Sequence, residues 1–155
     1  TEPMWAADFE AYMKMVLRAI EVGGVDHICF GADWDGGGGL KGIEDISAAS
    51  KLTACTTLLL GGNSISSIAA ITGLTSVSTL DLSNNYISDI SQLPSMKGLR
   101  SLNLKGNPIS DASPLLTMTW LKELYISGSG LSKDQIASLY SALRGCSITV
   151  DGYTP

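Results

Sequence analysis

The run HICFGADWDGGGGLKGIEDIS, from His27 to Ser47, gathers the residues best suited to chemistry. Asp33 and Asp35 flank Trp34 and precede four consecutive glycines; Glu44 and Asp45 follow. Carboxylates spaced around a flexible turn can hold a hard cation. His27 is the one imidazole in the chain. A hydrolytic metal site needs several ligands in one cavity, so a lone His beside a strand reads as structural. A phosphate-cradling loop is disfavoured, since no Gly-Lys-Ser/Thr follows the glycines and the acids repel phosphate.

Counting Asp33 as the first residue of a calcium loop of the EF-hand type places Asp35 third, Gly38 sixth and Glu44 twelfth. Gly37 and Lys41 then occupy the fifth and ninth positions, where ligands belong, and the segment before the loop is strand-like. Asp33, Asp35 and Glu44 thus form a weaker, alternative Ca²⁺ site. Cys29, Cys55 and Cys146 include no CxxC pair, which argues against a zinc ribbon. They read as buried thiols acting as small apolar groups, with a bridge between two of them left open.

The elements around the loop can be read from periodicity. In DFEAYMKMVLRAIEVGG, Phe9, Met13, Val16, Leu17 and Ile20 fall on one stripe of an amphipathic helix that Gly23 and Gly24 end. HICFGA reads as a short buried strand. Residues 1–50 carry nine acids against three bases, whereas residues 51–155 carry six acids and seven bases. That step in charge marks two segments, 1–50 and 51–155.

The order of helix, strand and loop, with Gly31, Ala32, Asp33, Trp34, Asp35 and Gly36 at the strand end, resembles a segment of the membrane (renal-type) dipeptidases over about residues 5–52. The resemblance implies a zinc metallopeptidase on a (β/α)8 barrel, in which the acid at the Asp33 position helps hold the substrate's amino end. Such a barrel needs about 250 residues. The family's His-x-Asp pair, bridging Glu and further His ligands have no counterpart here. The chain as it stands is therefore expected not to be an enzyme, with Asp33 a vestigial substrate position. No cofactor is expected, and zinc only if a dipeptidase barrel lies upstream.

From about residue 52 the chain repeats every 22 residues. Asn63, Asn85 and Asn107 form one column, continued by Ser129 and Asp151. Five residues earlier stand Leu58, Leu80, Leu102, Leu124 and Cys146; three earlier stand Leu60, Leu82, Leu104, Ile126 and Ile148. Residues two apart share a strand face, so both columns point inward. The Asn residues close each strand, tolerate unusual backbone angles and can satisfy backbone groups of successive turns. Ile87, Ile90 and Leu93 bring the chain back over the core. SKDQIASLYSALRG reads as a helix, with Ser132 and Gln135 as a capping box, Ile136, Leu139, Tyr140 and Leu143 on one face, and Gly145 as its stop.

This pattern resembles the leucine-rich repeat in the 22-residue form of internalin-like bacterial proteins, over about residues 52–152. It implies an α/β fold: a leucine-rich-repeat solenoid of about four to five coils, preceded by a helix-strand segment and closed by a capping helix plus strand. The exposed column on its concave sheet should run Leu59, Asp81, Asn103, Tyr125 and Ser147. Its neighbours should run Thr57, Thr79, Ser101, Glu123, Gly145 and Gly61, Ser83, Lys105, Ser127, Thr149. Asp81, Asn103, Lys105, Glu123 and Tyr125 form the candidate binding patch.

The expected function is a binding module for a protein or glycan partner. The alternatives are a catalytically incomplete dipeptidase-like fragment fused to repeats, and a structural spacer in a bacterial surface protein. The net charge of −5 argues against a nucleic-acid partner, and no apolar run approaches the ~20 residues of a membrane span. The chain starts with Thr and shows no signal peptide, which favours a fragment or a processed product. A secreted or cell-surface bacterial setting is implied by the repeat resemblance alone.

Overall fold

A computed structural model describes residues 53–151 and the backbone of His27–Cys29. The helix expected before His27 and the acidic, glycine-rich loop with Asp33, Asp35 and Glu44 lie outside the described residues.

Six three-residue strands form one parallel sheet in chain order: β1 (His27–Cys29), β2 (Thr57–Leu59), β3 (Thr79–Asp81), β4 (Ser101–Asn103), β5 (Glu123–Tyr125) and β6 (Ser147–Thr149). The strand expected in HICFGA is thus β1, and it pairs with β2, His27 opposite Thr57 and Cys29 opposite Leu59. From β2 to β5 the register advances 22 residues per strand, so Leu58, Leu80, Leu102 and Leu124 lie side by side. Short 3-10 turns at Ala69–Ile71, Leu93–Ser95 and Ser113–Thr117 carry the chain back. Pro94 and Pro114 open the last two, where a missing N–H is harmless.

The core is a stack of apolar columns at the repeat spacing. Leu58, Leu80, Leu102 and Leu124 form one, and Leu60, Leu82, Leu104 and Ile126 the next. The return segments add Ile65, Ile87 and Ile109, then Ile71, Leu93 and Leu115, then Leu74, Met96 and Met118. All are essentially excluded from solvent. At about 1.5–3 kcal/mol for each fully buried side chain, this stack is what holds the coils together. No coil could bury these side chains alone. Met118 and Trp120 both serve the packing, Met118 within the core and Trp120 partly buried against it.

The asparagine column stitches neighbouring coils. Asn85 Nδ2 donates to the carbonyls of Leu60, at 2.9 Å in the preceding coil, and of Leu82 in its own. Its Oδ1 accepts from the Ile65 N–H at 3.0 Å. Asn107 repeats the arrangement with Leu82, Leu104 and the Ile87 N–H. The expectation that this column satisfies the turns holds, with carbonyls served as well as amides. The unusual backbone angle belongs instead to the residue before it: Gly62, Asn84, Gly106 and Gly128 all have positive φ, 52° at Asn84. At Ser129 the column ends. Ile109 N–H turns to the Asn107 carbonyl, and Gly130 N–H to the Ile109 carbonyl.

A second column opens the return segments. Asp89 Oδ1 accepts from the Ser91 N–H at 2.9 Å, and Asp111 Oδ1 from the Ser113 N–H at 2.8 Å. These bonds favour the charged form and hold both carboxyls below their ordinary pKa. The backbone bond from Ser91 leads for Asp89, the Ser113 side chain for Asp111.

Helix α1 (Lys133–Ala142) starts on the expected capping box: Gln135 N–H donates to Ser132 Oγ, and Ser132 N–H to Gln135 Oε1. Ile136, Leu139 and Leu143 turn inward and are buried. Tyr140 is half-buried, its hydroxyl donating to the Ile148 carbonyl at 3.1 Å. Gly145 is not the stop. The helix ends at Ala142, Leu143 leaves helical geometry with ψ near 50°, and Gly145 keeps a negative φ.

The last register also departs from the 22-residue step. Leu124 pairs with Ile148, not Cys146, and Tyr125 with Thr149, not Ser147. An α-helix climbs about 1.5 Å per residue against about 2.0 Å for a 3-10 turn, so this return consumes more chain. The excess is two residues, which preserves the strand's inside-outside alternation.

Candidate functional site

Alternation along β2–β5 buries the central leucine and turns its two neighbours outward. The concave face therefore carries Thr57 and Leu59, Thr79 and Asp81, Ser101 and Asn103, Glu123 and Tyr125. The shifted register completes these rows with Ser147 beside Glu123 and Thr149 beside Tyr125. Gly145 and Ser147, expected at those two places, stand two residues too early.

The expected patch residues are brought together. Asp81, Asn103 and Tyr125 are direct neighbours on successive strands. Glu123 lies in the adjoining row, where its Oε2 accepts from the Ser101 hydroxyl at 2.8 Å. Lys105 stands two residues beyond Asn103, with its Nζ 4.0 Å from Asp151 Oδ2; both side chains are exposed, so the pair contributes little to stability. The third row differs from expectation: Ser83 and Ser127 are buried, at 9% and 2% exposure. Ser127 Oγ accepts from the Asp151 N–H at 2.9 Å, a bond that draws it inward.

Two polar side chains on this face are oriented by the backbone. Asp81 Oδ1 accepts from the Ser83 N–H at 2.8 Å, and Asn103 Oδ1 from the Lys105 N–H at 3.1 Å. Asp81 Oδ2 and Asn103 Nδ2 are left without another bond among the described residues. Tyr125, 39% exposed, is one of two large exposed hydrophobic residues among the described residues; the other is Tyr86.

Elsewhere the polar groups look structural. Lys97 Nζ lies 3.9 Å from the Trp120 ring centroid, a cation–π contact between successive coils. Cys55 is buried as expected, its Sγ donating to the Thr57 carbonyl at 3.0 Å; Cys146 is a free thiol and only half-buried. Burial first, then the Glu123 charge, raises the Cys146 pKa, with Lys122 opposing. Among the described residues no group of three or more His, Cys, Asp or Glu is placed to hold a metal. No helix among them is long and apolar enough to cross a membrane.

This architecture is that of leucine-rich repeats, and residues 53–95 match the sequence model of leucine-rich repeats in two copies. Among solved structures the chain is similar to an internalin of Listeria monocytogenes, with 23% identity and a TM-score of 0.62 over 72% of this chain and 38% of that one. Internalin C2 of the same species matches at 24% identity and a TM-score of 0.56, over 70% of this chain and 57% of that one. TLR13 in its complex with ssRNA13 matches at 25% identity and a TM-score of 0.52, over 66% and 16%. The chain thus spans less than two thirds of each of these structures. No curated protein matches the sequence. The dipeptidase resemblance of residues 5–52 finds no counterpart in these comparisons.

Proposed function

We propose that this chain is a binding module that presents Asp81, Asn103, Lys105, Glu123 and Tyr125 on its concave sheet to a protein or glycan partner. One observation carries the reading: Tyr125 is a large aromatic held exposed on a rigid strand, amid polar side chains whose orientation is already fixed. Such anchors dominate binding energetics because little freedom is lost when they are covered. The leucine-rich-repeat fold supports the reading, since it builds an extended concave surface. A nucleic-acid ligand, as in the TLR13 complex, fits this face poorly: Asp81, Glu123 and Asp151 outnumber Lys105 and repel phosphate.

In this reading residues 51–155 are the repeat domain, four to five coils long and closed by α1 and β6, and residues 1–50 are a separate segment that lends β1 to the sheet. A secreted or surface-exposed bacterial setting belongs to the same proposal, by likeness to the internalins. The test is to screen the full chain against arrayed proteins and glycans, then measure Tyr125→Ala and Asp81→Ala against the ligand found. Affinity should fall about tenfold or more with the melting temperature unchanged. Undiminished binding by both variants would move the site off this face.

A further inference from the structure

We propose that the concave-face ligand is a neutral carbohydrate, held with its vicinal hydroxyls on Asp81 and Asn103 and its C–H face on the Tyr125 ring. This rests on the concave-face reading above and narrows it to one ligand class.

The first argument is the fixed polarity of the neighbouring pair. Because Ser83 N–H occupies Asp81 Oδ1, the carboxylate offers Oδ2 as an acceptor. Because Lys105 N–H occupies Asn103 Oδ1, the amide must offer Nδ2 as a donor. These residues are side by side on β3 and β4, about 4.8 Å apart by strand spacing. An adjacent acceptor and donor match a vicinal diol, in which one hydroxyl gives its proton to the carboxylate and the next accepts from the amide. Hydroxyl groups serve in both roles at once, which few other small polar groups do.

The second argument is the next strand. Tyr125 follows Asn103 in the same row, one further step of about 4.8 Å. Its ring presents a negative face to polarised C–H bonds, and a pyranose has such a face opposite its hydroxyl edges. The floor around it is lined by Ser101, Thr149 and Glu123, whose carboxylate accepts from the Ser101 hydroxyl, so it is polar.

The third argument is area. Six strands of three residues make a face of roughly 24 by 10 Å, or about 240 Å². A standard protein partner covers about 800 Å². Among the described residues, the face apart from Tyr125 and Leu59 lacks the apolar residues from which a protein interface builds its centre. An oligosaccharide of two or three units fits both the dimensions and the polarity.

The experiment uses the full ¹⁵N-labelled chain, first on a printed array of neutral glycans. Maltotriose, cellotriose, mannotriose and triacetylchitotriose are then titrated to millimolar concentration. The readouts are the Asn103 side-chain amide and the Tyr125 ring resonances. At least one sugar should shift both saturably. Asn103→Asp keeps the bond from Lys105 N–H but replaces the donor by an acceptor, and should weaken binding about tenfold. Tyr125→Ala should do the same, whereas Tyr125→Phe, which retains the ring, should bind within about threefold of the parent chain. Melting temperatures of all three variants show that each is folded.

A random-peptide display library selected on the same chain separates the two levels of the reading. If selected peptides shift Tyr125 and Asp81 while no sugar does, the concave face stands and the carbohydrate assignment falls. If sugars shift only residues away from Asp81, Asn103 and Tyr125, the carbohydrate assignment falls; if neither sugars nor peptides touch these three, the assignment and the face fall together.

Discussion

The side-chain oxygen of Asn84 occupies the space that a Cβ on Gly106 would need. The two residues hold the same place in successive coils, and both have positive φ. Asn is among the few non-glycine residues that accept that conformation. Its side chain can lie over the next coil only because Gly106 has none. Gly106→Ala should therefore destabilise the protein by about 2 kcal/mol or more, through a strained backbone and the displaced Asn84. Gly145→Ala is the matched control. A Cβ there meets nothing within 4 Å, and the change should stay within about 0.5 kcal/mol. Urea denaturation midpoints compare the two, and equal midpoints would refute the account.

Asn107 is the more consequential residue of the same turn. Its amide serves the carbonyls of Leu82 and Leu104 and the N–H of Ile87, and it is 1% exposed. Asn107→Ala strips the Leu104 carbonyl and the Ile87 N–H of their partner at a site water does not reach, and leaves the Leu82 carbonyl with Asn85 Nδ2 alone. With about 1–3 kcal/mol for each of these two buried unsatisfied groups, the loss should be about 2 kcal/mol or more. Asn107→Asp restores the volume and the Ile87 bond but turns an acceptor toward two carbonyls. It should remain as damaging as alanine at neutral pH, measured by denaturation.

Asp89 and Asp111 predict an acid-sensitive increment of stability. Their folded pKa values lie below the ordinary 3.8, so the unfolded chain takes up protons first as pH drops. The increment is fully present above pH 3.8 and is lost as pH falls through the folded values. Carbon-detected NMR should place both carboxyl midpoints under 3.8. Asp89→Asn with Asp111→Asn should flatten the stability curve in that acid window and leave its shape near neutrality unchanged.

Thiol chemistry should separate the cysteines. Cys55 is 2% exposed and donates to the Thr57 carbonyl at 3.0 Å. It should resist alkylation until the protein unfolds. Cys146 is half-buried, with its pKa above the ordinary 9.0, so less thiolate is present at pH 8 than in an unfolded peptide. Peptide mass mapping over time should show Cys146 modified more slowly than in the denatured chain, and Cys55 after it.

How much of this was legible in the sequence depends on how local the determining physics is. Leu80 and Leu82 announce a strand face by spacing alone, and the constant step fixed which residues share a row from β2 to β5. Asp81, Asn103 and Tyr125 could therefore be placed together before any coordinates. The row broke at Tyr125 and Thr149, because the number of residues a helical return consumes depends on its pitch, which the repeat does not encode. Asn85 was readable as a turn residue, but not that Asn84 beside it takes the strained angle. That division follows from Asn85 being drawn into the core by Ile65 and Leu60 of the coil before. Ser83 and Ser127 looked outward by parity, yet the sheet has ended by those positions and the chain is already turning in.

Each cross-coil asparagine bond described above points one way: from Asn85 back to Leu60 and Ile65, and from Asn107 back to Leu82 and Ile87. A coil of this kind asks its predecessor for one carbonyl and one amide, and offers the same pair to its successor. The segment Thr79–Arg100 satisfies both sides of that exchange, so it behaves as an interchangeable part. A second copy inserted after Arg100 needs glycine at the place of its Asn84, so that the first Asn84 still meets a neighbour without a Cβ. It would then find both asparagine sockets in place, lengthening the molecule by one strand spacing and widening the concave face without redesigning either end.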